Sequence, residues 1–204
     1  MNLALSVFVA LYAALFVIAP IMSNRIIEVA TFIIPMGGMF AAVAGGLLDV
    51  INNNWGLRQA RATVLTSLIV RFTLYVLIMI AMTVFPLVRE SQGFEDVIMT
   101  GVRLLLAAEI SSAISQYFID APLFDYMKRN FKFFAARYNV SNLISGLIQT
   151  VTFVYAGFWG TPKAHLIPMM ILGGFVTKIG FQILITPIMA LLARWTKPKD
   201  VYNT

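Results

Sequence analysis

VIMTGVRLLLAAEISSAISQYFI, residues 97–119, is an apolar run long enough to cross a membrane, with a glutamate, Glu109, at its centre. Gln116 and Asp120 follow seven and eleven residues later. At helical periodicity those offsets bring all three within a ~40° sector, with Ser112 close beside them. A charged side chain at bilayer depth costs ~2.5–3.5 kcal/mol on insertion scales, so a polar stripe of this kind faces a bundle interior or a solute pathway. The run therefore predicts both a membrane helix and a role in binding or transport.

The rest of the chain has the same character. Of 204 residues, 60% are hydrophobic and 12% charged, about half the charge of an ordinary soluble domain. Crossing a ~30 Å hydrocarbon core takes about 20 apolar residues. Six such runs are present, at residues 3–22, 29–51, 62–88, 97–119, 140–158 and 166–192. The expected fold is an all-α membrane protein, a six-helix transmembrane bundle forming one domain over residues 1–204. Pro86 and Pro162 fit helix ends, whereas Pro35 and Pro187 fall inside predicted spans and would free nearby backbone carbonyls.

The net charge of +6 is not pooled on one face or in one tail, which argues against nucleic acid as a partner. It divides by side of the membrane. Nine basic residues (Arg58, Arg61, Lys128, Arg129, Lys132, Arg137, Arg194, Lys197 and Lys199) fall in connections on one side, against Arg25, Arg89 and Lys163 on the other. The positive-inside rule then puts both termini in the cytoplasm. The N-terminus lacks the basic region of a cleaved signal, so residues 3–22 read as a retained helix.

Further polar residues fall at helical spacing. On the third predicted helix Thr63, Ser67, Arg71 and Tyr75 follow at steps of four. Arg71 lies ~14 Å into its span, too deep for easy snorkelling, and needs an acidic or carbonyl partner, for which Glu109 is the candidate. The fifth helix carries Asn142, Ser145, Gly146 and Gln149 on one face. Ser145 and Gly146 suit helix packing, and Asn142 and Gln149 suit a solute. On the sixth, Gly174, Lys178 and Gln182 step by four, so Lys178 is a counter-ion for Glu109 or Asp120, or a direct ligand. Arg103 lies near a helix end and can reach the interface. Asp49, Arg58 and Arg61 recur 71 residues later as Asp120, Arg129 and Lys132; a true repeat would place a solute site between its halves.

Catalytic signatures are missing. There is no phosphate-binding GxxxxGK[ST] loop, no HExxH pair and no serine–histidine triad, so no enzyme activity is expected. The chain has no cysteine, and its one histidine, His165, falls in a predicted loop. Thiolate chemistry and a histidine metal site are thereby excluded, and neither metal nor cofactor is expected.

Several stretches together carry a family resemblance: Ser23-Asn24, LLDVINNNWGLRQARATV (47–64), RLLLAAEISSAISQYFIDAPLFDYMKR (103–129), SNLISGLIQTVTFVYAGFWGTP (141–162) and FVTKIGFQILITPIMALL (175–192). In order and over nearly the whole chain they resemble the queuosine precursor transporter family, a branch of the vitamin uptake transporters. The most specific combination is Ser115, Gln116 and Asp120, a basic loop, then Phe175 and Lys178. The resemblance implies a six-helix, multi-pass carrier of the bacterial inner membrane for 7-cyano-7-deazaguanine or its aminomethyl relative, used to make queuosine in transfer RNA. It carries substrate-binding roles onto Asn24, Asp49, Gln116, Asp120, Asn142 and Lys178. Gln149 stands before Thr150 where many relatives place an aspartate, and Glu109 is an acid not general to the family. Either the acid has moved between neighbouring helices or the solute differs.

A deazaguanine offers a donor edge that a carboxylate such as Glu109 or Asp120 accepts, and a carbonyl that takes a donor such as Asn142, Gln149 or Lys178. Tyr75, Tyr117 or Trp55 could stack on its ring. The leading expectation is secondary or facilitated import of this small solute across the lipid bilayer, with a homodimer left open. The alternative is the substrate-capture subunit of an energy-coupling vitamin importer, which needs partner ATPase subunits. Ala10 and Ala14 on the first helix have the small-residue spacing such a contact uses. A purely structural membrane protein is disfavoured by the depth of Arg71, Glu109 and Lys178.

Overall fold

The computed structural model describes residues 3–29, 31–84 and 92–197. Helix α1 (Leu3–Ser23) leads into two antiparallel strands, β1 (Ile26–Val29) and β2 (Phe32–Pro35), and then α2 (Gly37–Val84). Helix α3 (Gln92–Ser112) continues through a π-helical segment (Ala113–Asp120) into α4 (Ala121–Asn130). Helix α5 (Phe134–Phe158), a short 3-10 turn (Ala164–Leu166) and α6 (Ile167–Trp195) complete the described chain. Among the described residues, five helical stretches are long and apolar enough to cross a membrane: Leu3–Ser23, Gly37–Val84, Gly101–Asn130, Phe134–Phe158 and Ala164–Trp195. Pro86, Arg89 and Lys199, on which expectations above rest, lie outside the described residues.

Helix α2 is two helices joined at one residue. Its 48 residues would run ~72 Å if straight, more than twice the hydrocarbon thickness. The helical path breaks at Gly56, whose φ of 85° and ψ of 170° a side chain would resist. The residues expected to form a connection here, 52–61, are thus helical apart from this break. Two asparagines hold the break in place. Asn52 Nδ2 donates to the Ala121 carbonyl at 2.7 Å, and Lys128 Nζ donates to Asn52 Oδ1 at 2.9 Å. Asn54 Nδ2 donates to the Ala193 carbonyl at 3.0 Å and to Thr196 Oγ1 at 2.9 Å, occupying a carbonyl that the end of α6 leaves open. The other inner connection, expected over 121–139, likewise contains α4 and the first turns of α5.

The expected helix start at residue 29 is corrected by the structure. Ile26–Val29 and Phe32–Pro35 pair as antiparallel strands, with Ile26 opposite Pro35 and Val29 opposite Phe32, and α2 begins at Gly37. An unbroken apolar run has no period to separate helix from strand. Here β-branched Ile26, Ile27, Ile33 and Ile34 favour the extended state, and Pro35 restricts the residue before it to extended backbone. Ile34 is 2% exposed, and the hairpin seats against α6 at Gly173. A methyl group there would meet the Ile33 carbonyl oxygen at 2.8 Å and Ile34 Cγ2 at 2.9 Å. Gly173→Ala is therefore expected to destabilise the protein by ~1–3 kcal/mol and to expose the hairpin to protease, both measurable in detergent. A change below about 0.5 kcal/mol would show that the hairpin does not depend on this seat.

Apolar surface is distributed as a lipid solvent demands. Leu65, Ile69, Phe72, Leu77 and Ile80 on α2 and Ile183, Leu184 and Ile188 on α6 are all exposed. The interior core joins Tyr12 and Phe16 of α1, Leu48 and Ile51 of α2, Phe124 of α4 and Tyr138 of α5. A second apolar cluster, around Leu104, Val154, Phe158 and Met170, packs α3, α5 and α6 beside the hairpin.

Candidate functional site

The residues of the 109–120 stripe each take a different partner. Ala121 donates its backbone N–H to the Gln116 carbonyl, five residues back, as a π-helix requires. The wider turn breaks the angular register, and the three polar residues reach three different neighbours. Glu109 Oε1 lies 2.7 Å from Arg71 Nε of α2. Gln116 accepts a hydrogen bond from the Tyr12 hydroxyl of α1 at 3.4 Å. Asp120 accepts one from Ser145 of α5 at 2.8 Å.

The Arg71 guanidinium is enclosed, with 0% of its side chain exposed against 17% for Glu109. It also donates to Ser112 Oγ at 3.3 Å, and its terminal carbon lies 4.9 Å from the Phe16 ring centre. Arg71 thus ties α2 to α3 and α1.

A second polar group lies between α2, the π segment and α5. Asp49 accepts a hydrogen bond from Asn142 Nδ2, and Asn142 also donates to the Tyr138 carbonyl at 3.0 Å. Asn142 and Ser145 are one turn apart on α5, so Asp49 and Asp120 converge on a single helix face. The Ser141 hydroxyl lies beside both carboxylates. Gly45 permits this approach, since a methyl there would sit 2.8 Å from Asn142 Oδ1 and 3.8 Å from Gln116 Nε2.

Above this group, towards the hairpin, is a small cavity of about 60 Å³, below the usual size of small-molecule sites, so the helices around it must part to admit a solute. Its walls come from α1, β2, the start of α2, α3, α5 and α6. Phe16, Pro20, Pro35, Phe153, Val154 and Met170 supply apolar surface; Ser23, Ser111, Gln149, Thr150 and Lys178 supply polar atoms. Lys178 Nζ donates to Gln149 Oε1. Lys178 stands eleven residues into α6 and Gln149 nine residues before the end of α5, ~17 and ~14 Å by helical rise, near the middle of a ~30 Å core.

Hydrogen-bond accounting sets the chemistry of the cavity. The hydroxyls of Ser23, Ser111 and Thr150 donate to the carbonyls of Ala19, Ala108 and Gly146 at 2.8, 3.1 and 2.7 Å. Their protons are spent on the backbone, so each offers lone pairs to a guest. Lys178 has three N–H donors and Gln149 an amide NH₂. The walls therefore accept along one set of atoms and donate from another. No acidic residue lines the cavity, and Lys178 is its one formal charge among the described residues.

Of the candidates read from the sequence, Gln149 and Lys178 line this cavity. Asp49, Gln116, Asp120 and Asn142 form the neighbouring group, joined to the cavity through Lys178, which is within electrostatic reach of Asp120. Asn24 sits in the turn after α1, with its amide 3.5 Å from where a methyl on Gly101 would stand. Glu109 is taken up by Arg71. The aromatics expected to stack on a solute are engaged elsewhere: Trp55 against Phe8, Tyr117 beneath Arg61 and Tyr75 against Phe72. Phe16 and Phe153 line the cavity wall, Phe16 also meeting Tyr12 and the Arg71 guanidinium and Phe153 meeting Phe158. Arg103 donates to the Trp159 carbonyl, and His165 lies exposed beside the Pro162 carbonyl.

A family model described as "Putative vitamin uptake transporter" matches residues 35–192, most of the chain. The chain belongs to this vitamin uptake transporter family. It is a transporter rather than an enzyme, a multi-pass membrane protein whose guest is a small molecule. No curated protein and no solved structure matches it. The match spans every cavity element except α1, which contributes Phe16, Pro20 and Ser23 from outside it.

Proposed function

We propose that the protein imports a 7-deazaguanine, with 7-cyano-7-deazaguanine the preferred solute, across the bacterial inner membrane by secondary or facilitated transport. The observation that carries this reading is the mid-membrane cavity that combines donors, Lys178 and Gln149, with acceptor hydroxyls of Ser23, Ser111 and Thr150. A deazaguanine carries a carbonyl for the donors and ring N–H and amine groups for the acceptors, on a flat ring suited to Phe16 and Phe153. The family resemblance of the 103–129 and 175–192 stretches points the same way.

In this reading the chain crosses the membrane six times, α2 contributing two crossings about Gly56, with both termini in the cytoplasm by charge bias. The solute enters from the hairpin end, where Pro35 and Gly37 line the cavity. It passes inward by way of Asp49, Gln116, Asp120 and Asn142, which Lys178 couples to the outer site. Rocking of packed helices about this midplane site gives alternating access. Asn24 sits by the entrance, and Glu109 serves the Arg71 pair.

The electrostatics of the cavity select among deazaguanines. The aminomethyl compound is a cation at neutral pH, and a like charge 4–6 Å from Lys178 costs on the order of 3 kcal/mol at an effective dielectric of 20. Asp120 offsets part of this. The cyano compound is accordingly expected to bind at least about tenfold more tightly, as read by competition binding; equal affinities would contradict the assigned site.

The test of transport is uptake of radiolabelled 7-cyano-7-deazaguanine into liposomes containing the purified chain alone. Saturable uptake competed by unlabelled solute is expected. Uptake only after ATPase subunits are added would instead identify a capture subunit of an energy-coupling importer, to which Ala10 and Ala14 on the exposed side of α1 would be available.

A further inference from the structure

At the end of the bundle opposite the hairpin, α2 breaks, α6 stops and the chain turns from α4 into α5. These three ends enclose an open recess of about 650 Å³. Four cations line it, Lys132, Arg137, Arg194 and Lys197, with Asn53 and Asn54 and no acidic residue among the described residues. Charge bias alone scatters basic residues along loops; here segments distant in sequence bring them to one concave surface. Arg137 is the best placed, because its Nε is buried and has no hydrogen-bond partner among the described residues. Asp49 acts on it from inside the bundle, and Phe124 lies 5.6 Å beneath its guanidinium.

The rim supplies the second requirement for a lipid. Phe133 is 78% and Trp195 74% exposed, as aromatic side chains are at a membrane–water interface. Leu184, Ile188, Leu191 and Trp195 of α6 are exposed at offsets of four, seven and eleven, one apolar face that runs from the bilayer interior up to the recess. A free anion has no use for that stripe, whereas an acyl chain lies along it while its phosphate sits among the cations.

We propose that this recess is a binding site for the phosphate head group of an anionic phospholipid, and that a two-phosphate head group fits its four cations best. Basic pockets between membrane helices bind such head groups, and each Lys or Arg near an anionic lipid surface contributes about 1 kcal/mol. The occupied site fastens the α2 break, the α4–α5 connection and the α6 end to one another.

The experiment is thermal unfolding of the full chain in neutral detergent, titrated with cardiolipin, phosphatidylglycerol, phosphatidylethanolamine or inorganic phosphate. Stabilisation is expected in the order cardiolipin, phosphatidylglycerol, phosphatidylethanolamine, with inorganic phosphate without effect at the same concentration. Lys132→Gln with Arg194→Gln is expected to weaken the cardiolipin response about thirtyfold, and Lys163→Gln, at the other end of the bundle, to leave it unchanged. If the double variant does not fold, Lys132→Gln alone is expected to give a smaller loss of the same kind. Equal stabilisation by phosphatidylethanolamine, or an unchanged response in the recess variants, would overturn the proposal. An equal effect of inorganic phosphate would assign the recess to a free anion and overturn it as well.

Discussion

Replacing Lys178 with methionine is expected to cost the protein its solute and leave its fold standing. The methionine keeps an unbranched chain against Gly146, where an added methyl would lie 3.4 Å from the Lys178 Cδ, so packing between α5 and α6 survives. The ammonium and its donors are lost. A hydrogen bond to a charged group is worth ~1.5–3 kcal/mol, and Gln149 loses the partner that fixes its amide. Affinity for 7-cyano-7-deazaguanine should fall by about two orders of magnitude. The melting temperature of the empty protein should fall only modestly, since Asp120 and Gln149 lose a nearby cation while the desolvation of Lys178 itself is relieved. Binding and melting measured on the same preparation separate these effects. Unchanged affinity in a folded Lys178→Met protein would remove Lys178 from the site.

Glu109→Gln should do the reverse, damaging the fold more than the solute site. Arg71 is fully enclosed and Glu109 is its ion-pair partner. Removing one member of such a pair leaves a stranded charge at a cost of ~3 kcal/mol or more, whereas removing both can be nearly neutral. The single variant should therefore unfold at distinctly lower temperature, and Arg71→Met added to it should recover most of the loss. A double-mutant cycle measures the coupling. If Glu109→Gln instead keeps its stability and loses only solute binding, the carboxylate belongs to the solute and the helix-pairing role is wrong.

The membrane character was legible because the bilayer imposes a length on every crossing, and runs such as 97–119 and 166–192 meet it without ambiguity. Three features were hidden for physical reasons. The 26–35 hairpin is apolar nearly throughout, so no period marks it as extended; only Pro35 and the paired isoleucines hint at it. The break at Gly56 is a single residue in a stretch that otherwise keeps helical geometry, so the asparagines around it read as a loop. The π segment changes the angle per residue, so the 100° arithmetic of the stripe does not carry through to Gln116 and Asp120.

The site shows the same division. Lys178 and Gln149 were visible because a polar side chain deep in an apolar span must have a reason to be there. Phe16 and Phe153 were not, being two of 16 phenylalanines in a chain where an aromatic residue usually means packing. Ser23, Ser111 and Thr150 were equally silent, since their value as acceptors depends on which carbonyl takes each proton. That is a property of the folded backbone.

The most direct measurement is the thermal stability of the detergent-purified protein against 7-cyano-7-deazaguanine, 7-aminomethyl-7-deazaguanine, queuine, guanine and riboflavin. A ligand at 100 times its dissociation constant stabilises a reversibly unfolding protein by ~2.7 kcal/mol. The assigned cavity predicts a clear upward shift with the cyano compound, a smaller one with the aminomethyl compound and none with riboflavin. Folded protein that responds to no deazaguanine, or responds to riboflavin alone, would contradict it.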